Sequence, residues 1–383
     1  MIQTLVASTV EIDDLELAVE EILAQIPLTS LRAHSVGILS CHYDFIQSGA
    51  MKAVCAALPF PVAGAVSMSQ VTPQALGTFV LSIFVLTSDE ADFTIRRSSP
   101  FADAPCDAVS NMYREAAAIK DAAPSFAFTF LPFTTAFPAD VFVDTISALS
   151  GGLPCFGAVA LDDTPLYTNS FICVNGEAYT DCAAIVLVYS ERVPQFLLAT
   201  ISREKVLPNP ALVTKSEGNI LMEVNGHHVA KHFESLGLED STGQYAMSAL
   251  PFLMDFNDGT PPVSRVFTAH TPENYNICAG FIPEGSLMYM GVFDKEDVLH
   301  TTSKAVKNAL TQATNGILMY SCLARSMALG ADGQAELSLV QSLIGTQAPY
   351  LMAYNGGEIC PTQINDTKAI NRLHNNTFTI CLL

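Results

Sequence analysis

Apolar positions along this chain follow two alternating rhythms. Short runs such as FVLSIFVLT (79–87), AAIVLVYS (183–190) and ILMYSC (317–322) are apolar on both faces. Half-exposed strands would alternate, so these runs predict strands covered on both faces. Between them lie amphipathic stretches of helical period: DDLELAVEEILAQI (13–26), CDAVSNMYREAAAIK (106–120) and DKEDVLHTTSKAVKNALTQA (294–313).

The two rhythms recur as a unit. VGILSC (36–41), the helix-like FIQSGAMKAVCAAL (45–58), PFPVAGAVS (59–67) and GTFVLSIFVLTS (77–88) form one copy. SFAFTFLPF (125–133), PADVFVDTISALSG (138–151) and LPCFGAVALDD (153–163) begin a second. GILMYSC (316–322), AELSLVQSLIG (335–345), APYLMAYNGGEI (348–359) and NNTFTICLL (375–383) form a third. Each is preceded by one of the amphipathic helices. PVAGAV (61–66) matches PCFGAV (154–159), which sets Gly64 on Gly157; glycine inside a strand marks a bulge, a bend or a close backbone approach. Asn175-Gly176 between two strand-like runs predicts a two-residue hairpin, so part of the sheet is antiparallel. The expected fold is α/β, with mixed layered sheets built from repeated strand–helix–strand–strand units and flanking helices. Charge and two prolines cluster in SREKVLPNPALV (202–213), dividing the chain into 1–205 and 206–383. Past that boundary, ILMEVNGHHVAKHFESLG (220–237) predicts a strand, an Asn-Gly turn and a helix closed by Gly237.

Composition narrows the function classes. The 383 residues are 50% hydrophobic, enough for two domains with cores of their own. A formal charge of -20 repels phosphate backbones and anionic lipid, which argues against nucleic-acid and membrane partners. The longest apolar run falls well short of the ~20 residues a membrane helix needs. The N-terminus has no basic region and turns acidic at once, unlike a signal peptide. Ten scattered cysteines without a C-x-x-C pair fit buried thiols in a reducing compartment, so a cytoplasmic location is expected.

The chemistry-bearing residues gather in the last third. Cys322 closes a buried strand, and strand carboxyl ends are where α/β proteins place ligands. Arg325, three residues on, has a guanidinium suited to gripping a carboxylate through two parallel bonds. Asn355-Gly356-Gly357-Glu358 sets two glycines, which admit a ligand to the backbone, before a carboxylate able to take an ammonium group or pair with Arg325. Asn375 and Thr377 occupy alternate positions of the last strand and so share a face. The alternatives are core filling for Cys322, a surface ion pair for Arg325 and a solvated acid at Glu358. Ser40-Cys41-His42-Tyr43-Asp44 is the N-terminal counterpart of the Cys322 region. Cys41 and His42 point to opposite faces there, and Asp44 is a candidate helix cap. His228 and His232 have metal-compatible spacing but no third ligand nearby, and Asp162-Asp163 reads as a turn.

These motifs in this order resemble the FIST family. The junction VTKSEGNILMEVNGHHVAKHFESLG (213–237), GLPCFGAVALDD with VNGEAYTDCAAIVL, SCLAR (321–325), and YNGGEI followed by LHNNTFTICLL together cover nearly the whole chain. The resemblance implies a FIST N-terminal domain over 1–205, a FIST C-terminal domain over 206–383, and a sensory module for small ligands. The expected ligand is an amino acid or other small carboxylate, held by Cys322, Arg325, Asn355, Gly357, Glu358, Asn375 and Thr377, with output through a signalling partner protein and no enzymatic activity. No motif calls for a cofactor. Two alternatives stay open: a haem-based nitric-oxide sensor with His42 or His374 as axial ligand, and an enzyme using Cys322 or Cys41 as nucleophile.

Overall fold

The computed structural model describes residues 1–102, 104–134, 137–164, 166–237, 251–365 and 368–383. The recurring unit of the sequence is a physical one. In the first copy a strand Gln3–Thr9 and helix Leu15–Gln25 lead to strand His34–Cys41, helices Asp44–Gln47 and Ala50–Ala57, and strand Val62–Val66. A short hairpin, Gln70–Val71 with Leu76–Gly77, and strand Leu81–Ser88 complete it. The second copy runs Asp92–Arg97, helix Pro105–Ala117, Phe126–Leu131, helix Asp140–Ser150 and Cys155–Val159. It ends with the hairpin Ile172–Val174 and Glu177–Tyr179, then Ala184–Tyr189. The third has strand Gln195–Ala199, helix Lys295–Ala309, strand Ile317–Cys322, helices Leu323–Ala328 and Ala335–Ile344, and strand Tyr350–Asn355. Hairpin Gly357–Asn365 with Lys368–His374 and strand Phe378–Leu382 close the chain.

Each copy builds a sheet in the order first, last, second, third strand, and then receives the hairpin of another copy. The first copy's hairpin joins the third sheet, the second's joins the first, and the third's joins the second. The two central strands of each sheet are parallel and their neighbours antiparallel. No sheet is completed by its own copy alone. The expected cut at 205/206 falls after Gln195–Ala199, a strand that pairs with Phe378–Leu382 in the C-terminal sheet.

The three inner faces meet in one core, where Val36, Ile38, Phe84, Phe128, Phe130, Phe156, Leu318 and Leu351 pack together. The outer faces carry the helices, with Ile22 and Val54 on the first sheet, Met112 and Phe142 on the second, and Val306 and Val340 on the third. Strands apolar on both faces are therefore covered by helices outside and by the other sheets inside. At the predicted hairpin, Asn175 and Gly176 take φ of 49° and 83°, the left-handed pair of a type I′ turn. The helix-like run 45–58 is broken at Gly49, whose φ is 87°.

Residues 211–237 and 251–290 are inserted between the first strand and first helix of the third copy. They form an antiparallel sheet of their own, packed around Leu221, Phe233, Phe252, Met254 and Phe267. The predicted Asn225-Gly226 turn is present, and helix Val229–Ser235 ends before Gly237 at φ 75°. Arg265, 1% exposed, ties this insertion to the body: Nη2 meets Asp140 Oδ1 at 3.1 Å and Nη1 donates to the Leu373 carbonyl at 2.8 Å.

Gly64 and Gly157 occupy matching positions, each facing the central parallel neighbour. A Cβ on Gly64 would lie 1.9 Å from the Leu39 carbonyl oxygen, and one on Gly157 would lie 1.8 Å from that of Thr129. Of the three readings of a strand glycine, close backbone approach is the one found. Met352 holds the matching place in the third copy. Gly157→Ala is expected to cost about 2–4 kcal/mol through forced backbone displacement, read as a lowered thermal midpoint and reduced soluble yield.

Candidate functional site

The site grows from the carboxyl end of strand Ile317–Cys322. Leu318 and Tyr320 face the inner core, so Cys322 faces inward as well, and its parallel partner is Asn355. After Asn355 the chain passes from the third sheet to the second, and the first inward residue on the new strand is Glu358. Gly357 makes room at that crossing. A Cβ there would stand 3.3 Å from Asn375 Nδ2 and 3.2 Å from the His374 carbonyl oxygen. Cys322 N–H donates to the Thr377 carbonyl at 3.1 Å. The fold thus brings Cys322, Asn355, Gly357, Glu358, Asn375 and Thr377 into one neighbourhood, with Arg325 directly behind it.

Arg325 does not hold its expected place. It is fully buried on the helix-covered face and is committed to Glu336, also fully buried, with Nε at 2.9 Å and Nη2 at 2.8 Å from Glu336 Oε1. Nη2 also donates to the Val298 carbonyl at 3.0 Å and to Thr302 Oγ1 at 2.7 Å. The other Glu336 oxygen accepts from Ser321 at 2.9 Å and from the Tyr354 hydroxyl at 2.8 Å. The guanidinium fork is already filled by protein. Only Nη1 lacks a partner among the described residues.

That commitment leaves Glu358 without a counter-charge in contact. It is fully buried, and although the Glu358 and Thr377 amides lie close enough to favour its charged form, neither carboxylate oxygen makes a well-formed hydrogen bond among the described residues. Burial pushes its pKa well above the ordinary carboxylate range; Arg325 opposes the shift and Glu336 reinforces it. The solvated-acid reading of Glu358 is excluded. Burial and the neighbouring Glu358 likewise push the Cys322 thiol up, which disfavours the thiolate a nucleophile needs.

Asn375 and Thr377 do not alternate on a strand as expected. Asn376 between them has φ 50°, so they sit in a turn before Phe378–Leu382, and Thr377 spends its hydroxyl on the Asn375 carbonyl at 2.8 Å. Both polar atoms of the Asn375 amide are buried without partners among the described residues. Asn355 donates Nδ2 to the Val66 carbonyl at 3.3 Å, leaving Oδ1 unpaired.

One member of the cluster was not found from the sequence. Gln70, on the hairpin that the first copy lends to the third sheet, pairs with Ala353 just ahead of Asn355. Its Nε2 donates to the carbonyls of Val80 at 2.6 Å and Ser40 at 3.2 Å, and its Oε1 is buried and unpaired. A signal existed. Ungapped alignment of Ala65–Val71 with Ala353–Ile359 places Gln70 on Glu358, and the matching sheet positions agree.

The N-terminal counterpart region behaves differently. Cys41 packs on the helix side of its sheet, while His42 lies 3.3 Å from Asp163 Oδ1 and 3.5 Å from Asp44 Oδ2, so the two do point apart. Asp44 opens helix Asp44–Gln47 from within its first turn and does not cap it. Asp162 is more than a turn residue: fully buried, it accepts from Asn169 N–H at 3.1 Å and Ser170 Oγ at 3.1 Å. His228 caps helix Val229–Ser235 by accepting from Ala230 N–H at 3.2 Å. His374 has its Nε2 3.2 Å from the Cys360 carbonyl, and burial lowers its pKa to about 3. Of the two conceivable haem ligands, His374 is engaged by the Cys360 carbonyl, while His42 lies between two carboxylates with Nε2 making no hydrogen bond among the described residues. Among the described residues no cluster of three His, Cys, Asp or Glu side chains has metal-binding geometry, and no helix is long and apolar enough to cross a membrane.

Fold and site together define a class: three exchanged strand–helix units around an inner core, with buried, unpaired polar groups at one end. The chain belongs to the FIST family, its residues 35–227 matching the FIST N domain and 230–361 the FIST C domain. FIST domains are associated with signal transduction and small-ligand sensing. No curated protein matches the sequence. Among solved structures, a crystal structure of cyanuric acid hydrolase from A. caulinodans is similar over 100% of this chain and 99% of that chain, at 10% identity and a TM-score of 0.39. A second cyanuric acid hydrolase structure gives 100% and 98% coverage, 10% identity and a TM-score of 0.35. Likeness at this level carries no functional argument.

Two stability predictions follow from the charges. Arg325→Met leaves Glu336 buried without its cation and should cost about 3–5 kcal/mol, measured by denaturation. Glu358 has a folded-state pKa above its unfolded value, so its protonated form is tolerated at low pH and stability is lost as pH rises through the folded value. Glu358→Gln should therefore be more stable than the parent at pH 8 by about 1–3 kcal/mol, with the advantage vanishing below about pH 4. A parent-like thermal midpoint for the variant at pH 8 would contradict a buried, uncompensated carboxyl.

Proposed function

We propose that this protein is a cytoplasmic sensory module that binds an amino acid or other small carboxylate and passes the signal to a partner protein. The observation that carries the reading is the convergence of Gln70, Asn355, Glu358 and Asn375, all buried and all with polar atoms unpaired among the described residues. Buried polar groups are almost always satisfied, and an unsatisfied one costs about 1–3 kcal/mol. Several together are a standing cost that a ligand would relieve. A ligand carboxylate would meet the unpaired donor Asn375 Nδ2, while its ammonium would meet Glu358. The raised Cys322 pKa disfavours the thiolate and so favours binding over nucleophilic catalysis.

The test is a thermal-shift screen against amino acids, organic acids, nucleotides and haem. A cognate ligand at 100 times its Kd should stabilise the protein by about 2.7 kcal/mol. Asn375→Leu should abolish the effect and keep the fold, because the Asn375 side chain supports no other described group. Arg325→Ala is the wrong variant for this purpose, since it removes the partner of Glu336. A flat response to every class in a folded protein would defeat the sensor reading.

A further inference from the structure

Gln70 and Glu358 are counterparts in two copies of one unit, each the first inward residue of an exchanged hairpin, opposite Ala353 and Ala158 respectively. The matching residue of the second copy is Ile172, opposite Ala65 and fully buried. The end of the core therefore has two polar walls and one apolar wall. Tyr320, two residues before Cys322 and stacked on Phe156 at 5.3 Å, lies one layer below.

The orientation of the polar groups is fixed. Gln70 gives its amino group to two carbonyls, so Oε1 is the atom left over, and Asn355 is locked the same way by Val66. Among the described residues the unpaired atoms at this end of the core are Gln70 Oε1, Asn355 Oδ1, Asn375 Oδ1 and both Glu358 oxygens, five acceptors, against the Asn375 Nδ2 donor; the Tyr320 hydroxyl one layer below and His42 Nε2 are also unpaired, and Arg325 Nη1 lies behind the sheet. A group that satisfies such a set brings several N–H donors and a positive charge. A bare carboxylate brings neither and would face Glu358.

Resting on the sensor reading, we propose that the group this site recognises is a primary ammonium carried on a short apolar body. It is held between Glu358 of the C-terminal domain and Gln70 of the N-terminal domain, with Ile172 against the apolar part. The ammonium offers three hydrogens to Glu358, Gln70 and Asn355. Its charge supplies the compensation that Arg325 gives to Glu336 instead. The carboxylate of an amino acid is then an accessory to recognition and not its determinant. Gln70 becomes a binding residue contributed across the domain junction, so neither domain forms this site alone.

The experiment compares n-butylammonium, butyrate and L-2-aminobutyrate by thermal shift and calorimetry on the full chain and on two variants. Stabilisation by n-butylammonium and L-2-aminobutyrate with no response to butyrate is expected. Glu358→Gln, which breaks no described side-chain bond, should weaken n-butylammonium binding about 30-fold or more. Gln70→Leu should weaken it about tenfold, and the midpoint of each free variant separates lost binding from lost folding. A response to butyrate equal to that of n-butylammonium would overturn the ammonium assignment and leave the sensor reading standing. Ammonium binding that survives Glu358→Gln would reduce the effect to surface charge and overturn it too. No response to any of the three probes also overturns it, while the sensor reading falls only with a flat response in the wider screen.

Discussion

Two carboxylates, Glu336 and Glu358, are fully buried near the carboxyl end of one strand, and Arg325 supplies a guanidinium to only one of them. Much of the site follows from that allocation. Glu336 is reached by Arg325, Ser321, Tyr354 and Thr302, which belong to two strands and two helices besides its own. Taking such a pair out of water costs several kcal/mol per ion, so its worth lies in geometry more than in net stability. It locks the strand end of Ser321 and Cys322 against the helices behind it. The inward residues on the other face acquire fixed positions from groups they do not touch.

The exchange of hairpins turns those positions into a shared cluster. A hairpin kept within its own copy would place Glu358 beside Asn355 in one sheet. Passing to the next sheet, it carries Glu358 around the end of the core. The same manoeuvre in the first copy brings Gln70 to the third sheet from near the other end of the chain. The N-terminal and C-terminal domains are consequently interleaved. A change in one sheet's packing reaches the other without a hinge between them, which suits the sensory role proposed above.

What the sequence disclosed was local. Strand and helix periods, the Asn175-Gly176 turn and the threefold recurrence were legible because each is written in consecutive residues. The close approach at Gly64 and Gly157 was legible as one of three readings. Where each hairpin pairs was not, because strands of two or three residues carry too little pattern to name a partner. Glu336 sits in AELSLVQSLI, where it looks like one more polar position of an amphipathic helix, so nothing marked it as the partner of Arg325. Alternation failed at Asn375 and Thr377 because it assumes extended backbone, and Asn376 is left-handed.

The three copies share a backbone but not a chemistry, and this difference bears on the recognition proposed above. At matching inward positions the first copy has Ser67 and Gln70, the second Ala160 and Ile172, the third Asn355 and Glu358. Three identical walls would hold a small ligand in three equivalent orientations and leave the protein unable to report which was occupied. One apolar, one neutral polar and one acidic wall remove that degeneracy. The acidic wall also feels the buried Arg325–Glu336 pair, in which Arg325 acts on Glu358 more strongly than Glu336 does. On the proposed reading, contact with the carboxylate is what favours a cation at Glu358. The asymmetry of the walls then gives it one direction in which to lie.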